Sequence, residues 1–176
     1  MRLRYLVTRI LSGKPKVAHL WAEDAHFKAL MRELRGFTLV DQVRCFMLYQ
    51  YAEHVAHVPG DVAEVGVYKG GTARLLAKVV EPQGKRVHLF DTFSGMPISD
   101  PKKDLHRAGD FGDVSLERVK RYLRDCPNVR FYPGVFPLTG RPVEHLAFSL
   151  VHVDADIYQS VLDCCAFFYP RLQGGV

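Results

Sequence analysis

The fold of this chain is decided by residues 64–72, which read EVGVYKGGT. The stretch closes a short apolar run over 62–67, which has the length of a buried strand, and opens helical spacing over 72–80. Glycines at such a turn let the backbone approach a bound ligand and present N–H groups at the start of the helix. A tight structural turn with Glu64 as a local cap is the alternative interpretation.

Strand and helix patterns alternate on both sides of this turn. The pattern predicts strands over 62–67, 86–91, 129–132 and 148–153, and helices over 72–80, 115–123 and 157–169. Gly174-Gly175 would mark a turn into a fifth strand. Alternation of this kind predicts an α/β fold with a Rossmann-like parallel sheet.

The part of the chain before residue 59 predicts a helical preamble that covers the sheet. Helical spacing runs over 3–11 and again over 17–34, where Gly36 ends it. Thr38, with Asp41 three residues later, predicts the N-terminal cap of a third helix that runs towards His57. We divide the chain into a helical arm over 1–36 and a main domain over 37–176.

Composition and charge exclude several classes of protein. The 176 residues, 48% hydrophobic and 24% charged, are typical of one soluble globular domain. The net charge of +5 lies in the arm, where eight basic residues face three acidic ones. We expect a solvated basic arm, or one that docks to an acidic partner or membrane surface, and no nucleic-acid binding. No apolar run is long enough to span a membrane.

The four cysteines favour a cytoplasmic protein without disulfides. Cys45, Cys126, Cys164 and Cys165 show neither a metal-ligand spacing nor a CxxC pair. Free thiols in this number fit a reducing compartment. We therefore expect cytoplasmic localisation.

The glycine turn predicts a ligand with a cationic end. Residues 64–72 lack the G-x-G-x-x-G pattern of dinucleotide folds, which disfavours a nicotinamide-dependent oxidoreductase. Glu64 lies two residues before Gly66, where its charge would repel a pyrophosphate and attract a cation.

Two further carboxylate positions follow predicted strands. Asp91 ends the second strand, where a carboxylate can accept the hydroxyls of a ribose, although a simple cap is the alternative. Asp154 and Asp156 follow the fourth strand and could bind Mg²⁺ or act as a base. Capping of the next helix is the alternative for Asp156, and we favour Asp154 as the catalytic residue.

Four ordered motifs carry a family resemblance over residues 37–176. They are PGD at 59–61 running into the glycine turn, FDTFSGMP at 90–97, GVFP at 134–137, and DADIYQS at 154–160 followed by YPRL at 169–172. Together they resemble the macrocin O-methyltransferase (TylF) family of class I S-adenosylmethionine-dependent enzymes. The resemblance implies methyl transfer to a hydroxyl of a sugar or other small metabolite.

The resemblance also implies roles for individual residues. Glu64, Gly66 and Gly70 would line the methionine part of S-adenosylmethionine, Asp91 would hold its ribose, and Asp154 would ligate Mg²⁺ with Asp156. The full set of expected cofactor-binding residues is Glu64, Gly66, Tyr68, Gly70, Gly71, Thr72, Asp91 and Thr92. A small hydroxyl-bearing acceptor is the expected partner, and a homo-oligomer is one possible assembly.

The sequence departs from the family pattern at its end. In that family a fifth strand ends in paired acidic residues that complete the metal site, and this chain stops at Val176 before them. We therefore expect either a fragment or a natural truncation with impaired catalysis. The alternative function is a non-catalytic domain that binds S-adenosylmethionine or a partner.

Two structural expectations follow. The polar loop over 94–114 should cover the site, mobile when the site is empty and ordered when ligands bind. The apolar fourth strand should lie at the edge of the sheet, where it would promote dimers or aggregation.

Overall fold

The computed structural model describes residues 21–174 of the chain. The predicted helix over 3–11 and the beginning of that over 17–34 lie outside this range. In chain order the elements are α1 (Ala25–Glu33), α2 (Gln42–His54), β1 (Asp61–Val65), α3 (Gly71–Val80), β2 (Val87–Asp91), α4 (Leu116–Tyr122), β3 (Val129–Pro133), β4 (Phe148–Val153) and α5 (Tyr158–Phe168). In this range no helix is long and apolar enough to cross a membrane.

The four strands form one parallel sheet in the order β3-β2-β1-β4. The predicted α/β architecture is confirmed, and the strand bounds agree with the sequence pattern to within two residues. The chain builds outward from β1 to β3 and then crosses back to place β4 on the other side of β1. Strand order therefore reverses between β1 and β4, which is where open parallel sheets bind their ligands.

Helices cover both faces of the sheet. On one face α1 to α4 share a core with β1, β2 and β3. On the other face α5 packs on the sheet through Cys164 and Phe168, beside Phe90 and Phe136. The two central strands, β1 and β2, are buried between these layers, which explains their largely apolar sequences.

The helix α1 packs into the core of the domain. Its residues Phe27 and Leu30, with Leu34 just beyond, are buried in the same cluster as the β1 residue Val62. The division of the chain at residue 36 stays a prediction, since residues 1–20 lie outside the described range.

The predicted cap of α2 was wrong by three residues. Asp41 is the N-cap and its carboxylate accepts a hydrogen bond from the Arg44 backbone N–H at 3.0 Å. Thr38 instead accepts a bond from the Val40 backbone N–H at 3.0 Å. The Thr38 hydroxyl thus shapes the approach to the helix rather than its first turn.

The outer side of β4 carries the beginning of a further pairing. Leu172 bridges to Phe148 in the parallel sense, and the Gln173 backbone N–H donates to the Phe148 carbonyl at 2.9 Å. The chain after α5 therefore returns beside β4, on the side where the fifth strand was expected. Self-association through this edge stays a prediction.

Candidate functional site

A cavity of about 240 Å³ opens at the carboxyl ends of β1, β2 and β4. Segments within 37–44, 65–72, 90–97 and 134–136 contribute to its walls, together with Asp154 and its neighbours. Among the predicted site residues, Gly66, Tyr68, Thr72, Asp91, Thr92, Asp154 and Asp156 line it. Glu64, Gly70 and Gly71 lie beside or beneath it without lining it.

Two glycines of the turn are required by close backbone contacts. Gly66 has φ +89°, and a Cβ there would lie 2.2 Å from the Asp154 carbonyl oxygen. A Cβ on Gly71 would lie 2.6 Å from the Thr38 Cβ and 2.7 Å from the Phe37 carbonyl oxygen. The first contact joins the ends of β1 and β4, and the second joins α3 to the 37–44 wall.

Asp91 organises the turn as well as facing the cavity. Its Oδ2 accepts hydrogen bonds from the backbone N–H groups of Val67 at 2.6 Å and Tyr68 at 3.0 Å. Its Oδ1 accepts a bond from the Phe93 N–H at 2.7 Å. One carboxylate therefore holds the glycine turn against the first residues of the loop that follows β2, a role that the sequence did not reveal.

Glu64 forms a buried pair with His152 beneath the cavity. The Glu64 side chain is 0% exposed, and its Oε1 lies 3.0 Å from His152 Nδ1 on the adjacent strand. Burial raises the pKa of Glu64. Burial opposes protonation of His152, but the hydrogen bond and charge of Glu64 outweigh it and raise the pKa of that imidazole.

The second oxygen of Glu64 has no hydrogen-bond partner among the described residues. A buried carboxylate oxygen without a partner is costly, since desolvation is not repaid by a bond. The predicted contact between Glu64 and a ligand stays a prediction. The unpartnered oxygen is the feature that supports it.

Asp154 and Asp156 both line the cavity. Burial, reinforced by repulsion from the Asp154 carboxylate, raises the pKa of Asp156. Within residues 21–174, no group of three His, Cys, Asp or Glu side chains is placed to hold a metal. Asp154 and Asp156 are the two carboxylates that follow β4, and the third carboxylate of the lining, Asp91, follows β2.

The interpretation of Asp156 as a helix cap is wrong. The N-cap of α5 is Ile157, which offers no side-chain bond. The loop residue Asp104 accepts the hydrogen bond from the Tyr158 backbone N–H at 2.8 Å. This bond and that of the neighbouring Asp100 N–H lower the pKa of Asp104.

The loop over 94–114 lies across the cavity and is tied down at two points. Asp104 holds it to α5, and Asp113 holds it to the glycine turn. The Tyr68 hydroxyl donates to Asp113 at 3.0 Å, and Lys69 Nζ lies 2.5 Å from the same carboxylate. Phe111 of the loop contacts the Tyr68 ring edge-on at 5.6 Å between ring centres. Its mobility in the absence of ligands stays a prediction.

Arg44 is a site residue that sequence reasoning missed. It is the single cationic side chain among the described residues that line the cavity. Its guanidinium lies 2.8 Å from Asp41, in a pair with side chains 62% and 57% exposed. Such a pair is weak and exchanges partners readily. No spacing rule marks an arginine on a predicted helix, so only the fold could have shown it at the site.

The motifs and the geometry agree with a comparison against known families. The model of the macrocin O-methyltransferase (TylF) family matches residues 16–176.

The chain belongs to the macrocin O-methyltransferase family.

Curated relatives and solved structures support this family membership. The chain is 33% identical over 173 residues to demethyldecarbamoylnovobiocin O-methyltransferase of Streptomyces niveus, covering 88% of this chain and 61% of that protein. It is 35% identical over 134 residues to a tetracenomycin-C 4'-O-methyltransferase of Streptomyces olivaceus, which acts on a 2,3-dimethoxy-alpha-L-rhamnosyl derivative. That match covers 67% of this chain and 51% of the relative.

The O-methyltransferase NovP has the same fold, with a TM-score of 0.70 and 29% identity over 79% of this chain and 64% of that one. The calicheamicin methyltransferase CalS11 shares the fold at a TM-score of 0.65 and 17% identity, over 83% of this chain and 72% of that one. The chain spans between one half and two thirds of the length of the two Streptomyces relatives.

Proposed function

We propose that this chain binds S-adenosylmethionine in the cavity and transfers its methyl group to a hydroxyl of a sugar or another small metabolite. The observation that carries the proposal is the glycine turn held by Asp91, with the unpartnered Glu64 oxygen beneath it. Membership of the family and the O-methyltransferase activity of the relatives support it.

The charges of the site suit the parts of this cofactor. S-adenosylmethionine has a cationic sulfonium and ammonium, which match a cavity with several carboxylates in and beneath its walls. The ammonium would approach Glu64, and its N–H groups would supply the hydrogen-bond partner that the buried Glu64 oxygen lacks. Asp91 has room for a ribose hydroxyl, because a carboxylate has about four acceptor positions and the three backbone N–H groups fill three. The Thr92 hydroxyl lies 3.5 Å from Asp91 Oδ1, but its single proton is donated to the nearer Gly95 carbonyl at 2.5 Å, which leaves the fourth position open.

Arg44 would bind the carboxylate of the cofactor's methionine part. We expect Arg44→Gln to weaken binding of S-adenosylhomocysteine by about 10-fold, the effect of losing one charged hydrogen bond. Binding of 5'-methylthioadenosine, which has the same nucleoside but no amino acid part, should stay unchanged. Calorimetric titration with the two ligands measures both effects. An equal loss for the two would show that Arg44 acts on the whole cavity and not on the carboxylate.

Methyl transfer is an in-line displacement that depends mainly on positioning. The acceptor oxygen forms a bond to the methyl carbon as the carbon–sulfur bond breaks, and that electron pair stays on sulfur to give neutral S-adenosylhomocysteine. The acceptor hydroxyl loses its proton, and Asp154, which follows β4 and lines the cavity, would accept it. The loop over 94–114 excludes water from the cavity beneath it.

Mg²⁺ fits Asp154 and Asp156, a pair of hard oxygen donors that both line the cavity. Burial, reinforced by repulsion from the Asp154 carboxylate, raises the pKa of Asp156. When bound, such a cation would lower the pKa of an acceptor hydroxyl. A site of two carboxylates leaves the remaining positions to water and acceptor, which is how magnesium is usually held in proteins.

We expect Asp154→Asn to lower methyl transfer by at least about 100-fold, the usual contribution of a positioned base. Binding of S-adenosylhomocysteine should change little, because the amide keeps the shape of the side chain. The assay follows the labelled methyl group from S-adenosylmethionine into a panel of glycosides and nucleotide-linked sugars. The alternative, a domain that binds the cofactor without turnover, predicts normal binding and no labelled product from the unaltered chain with any acceptor.

A further inference from the structure

A second concavity, which we call the basic cleft, lies between α1 and the 36–42 segment and encloses about 500 Å³. Lys28, Arg32 and Arg35 line it, and none of its lining residues is acidic. Their spacing of four and then three residues places them along one face of α1 and its continuation. Thr38 and Gln42 contribute polar groups to the cleft.

No carboxylate among the described residues neutralises the basic cleft. None of the ion pairs within residues 21–174 involves Lys28, Arg32 or Arg35. Three acidic residues nearby have other partners. Asp24 caps α1, Glu33 pairs with Arg74 at 2.7 Å and Asp41 pairs with Arg44 at 2.8 Å.

The residues outside the described range add no acidic side chain that could neutralise the basic cleft. Residues 1–20 contain no aspartate or glutamate and five lysines or arginines, and residues 175–176 have no acidic side chain. Positive potential therefore accumulates at the basic cleft. Arg32 and Arg35 lie at the negative end of the α1 dipole, which favours cations there. Lys28 Nζ donates to the carbonyl of Ala22, which precedes α1, at 2.8 Å.

The basic cleft and the candidate active site share a wall. Thr38 and Val40 line both concavities, so the two are separated only by this segment. An acceptor lying across the segment could place a hydroxyl near Asp154 and an anionic group in the basic cleft. Two arginines on one side of the cleft favour phosphate in particular, because the guanidinium fork binds phosphate oxygens in pairs.

We propose that the basic cleft binds the diphosphate of the acceptor, which makes the acceptor a sugar linked to a diphosphate. This inference rests on the proposed methyl transfer and names its substrate class. The diphosphate has two chemical sources, a soluble nucleoside diphosphate sugar or a sugar on a lipid diphosphate. Both present the same anionic group to Lys28, Arg32 and Arg35.

The test compares two double variants that remove the same charge, one within the lining of the basic cleft and one outside it. Arg32→Gln with Arg35→Gln alters the basic cleft. Arg121→Gln with Arg124→Gln, at the exposed end of α4, is the matched control. In calorimetric titration with uridine diphosphate, we expect the cleft variant to raise Kd by at least about 10-fold and the control by less than about twofold. Uridine, which has no phosphate, should not bind either variant or the unaltered chain.

Three further ligands separate the sources and the rival interpretation. Vesicles with a polyprenyl diphosphate, compared with the same vesicles without it, report the lipid source, and inorganic pyrophosphate reports the shared group. Binding of either diphosphate source that the cleft variant weakens selectively supports the proposal. Binding of polyglutamate but of no diphosphate would overturn it in favour of an acidic protein partner.

The remaining outcomes separate this inference from the proposed function. Failure of every diphosphate ligand to bind, or an equal loss in the two double variants, overturns the proposal about the cleft. S-adenosylhomocysteine is titrated into the same preparations. If it binds while the diphosphates fail, only the acceptor class is wrong. If it also fails to bind, the methyltransferase proposal is wrong.

Discussion

Replacing Asp91 with alanine is expected to abolish cofactor binding and to destabilise the fold together. The change leaves the N–H groups of Val67, Tyr68 and Phe93 without their acceptor. An unsatisfied buried polar group costs about 1–3 kcal/mol, and water replaces part of the loss at this cavity, so we expect about 3 kcal/mol. Binding of S-adenosylhomocysteine should weaken by at least about 100-fold, because turn and ribose contact are lost together.

The measurements are a thermal melt and a calorimetric titration of the same preparation. A loss of about 3 kcal/mol corresponds to a fall in Tm of roughly 10 °C for a domain of this size. Asp110→Ala is the control, since this exposed loop carboxylate also accepts a backbone N–H, from Arg107 at 2.9 Å. It should change Tm and binding little. Normal cofactor binding by folded Asp91→Ala would contradict the role given to the turn.

Replacing Arg74 with alanine is expected to give the largest loss of stability away from the cavity. Its side chain, 12% exposed, lies between three helical segments. It bonds the Asp125 carboxylate through two nitrogens at 2.7 and 2.8 Å, Glu33 at 2.7 Å and the Tyr122 carbonyl at 3.1 Å. Removing one partner of a largely buried ion pair costs about 3–5 kcal/mol, and we expect the lower end because both carboxylates are half-exposed.

The pH dependence of this cluster provides a second check. Hydrogen bonds from Arg74 hold the pKa of Asp125 well below its ordinary value of 3.8. A carboxyl whose pKa is lowered by folding stabilises the protein above its unfolded pKa, and this contribution is lost as the pH falls below about 4. Arg74→Ala should therefore flatten the acid limb of the stability curve. Urea unfolding at several pH values measures both effects.

The control for Arg74 is an exposed pair of the same chemistry. Lys120 and Glu117 lie 3.0 Å apart on α4, with side chains 46% and 75% exposed. Lys120→Ala should cost less than about 1 kcal/mol, as exposed pairs do. A loss for Arg74→Ala no larger than that of Lys120→Ala would show that the cluster does not hold α1, α3 and α4 together.

Sequence reasoning reached the fold because the signals that decide it are local. Apolar runs of strand length, glycine turns and helical spacing predicted the parallel sheet and placed Gly66, Asp91 and Asp154 at the ends of strands. These features depend on residues close together in the chain.

The parts that sequence reasoning missed depend on residues far apart in the chain. Asp104 caps a helix that begins 54 residues later, a bond that the sequence could not indicate, and so capping by Asp156 stood as an alternative that the fold does not use. Asp91 bonds backbone groups 23 and 24 residues earlier, which a reading based on strand ends cannot show. Glu64 contacts His152, 88 residues away, because β1 pairs with β4 in a register that places the two side by side.

We propose that the cavity at the ends of β1, β2 and β4 binds S-adenosylmethionine, and calorimetric titration of the folded chain with S-adenosylhomocysteine is the decisive measurement. We expect saturable binding of one ligand per chain, weakened by Glu64→Ala as well as by Asp91→Ala. A cooperatively folded chain that binds no S-adenosylhomocysteine would contradict it.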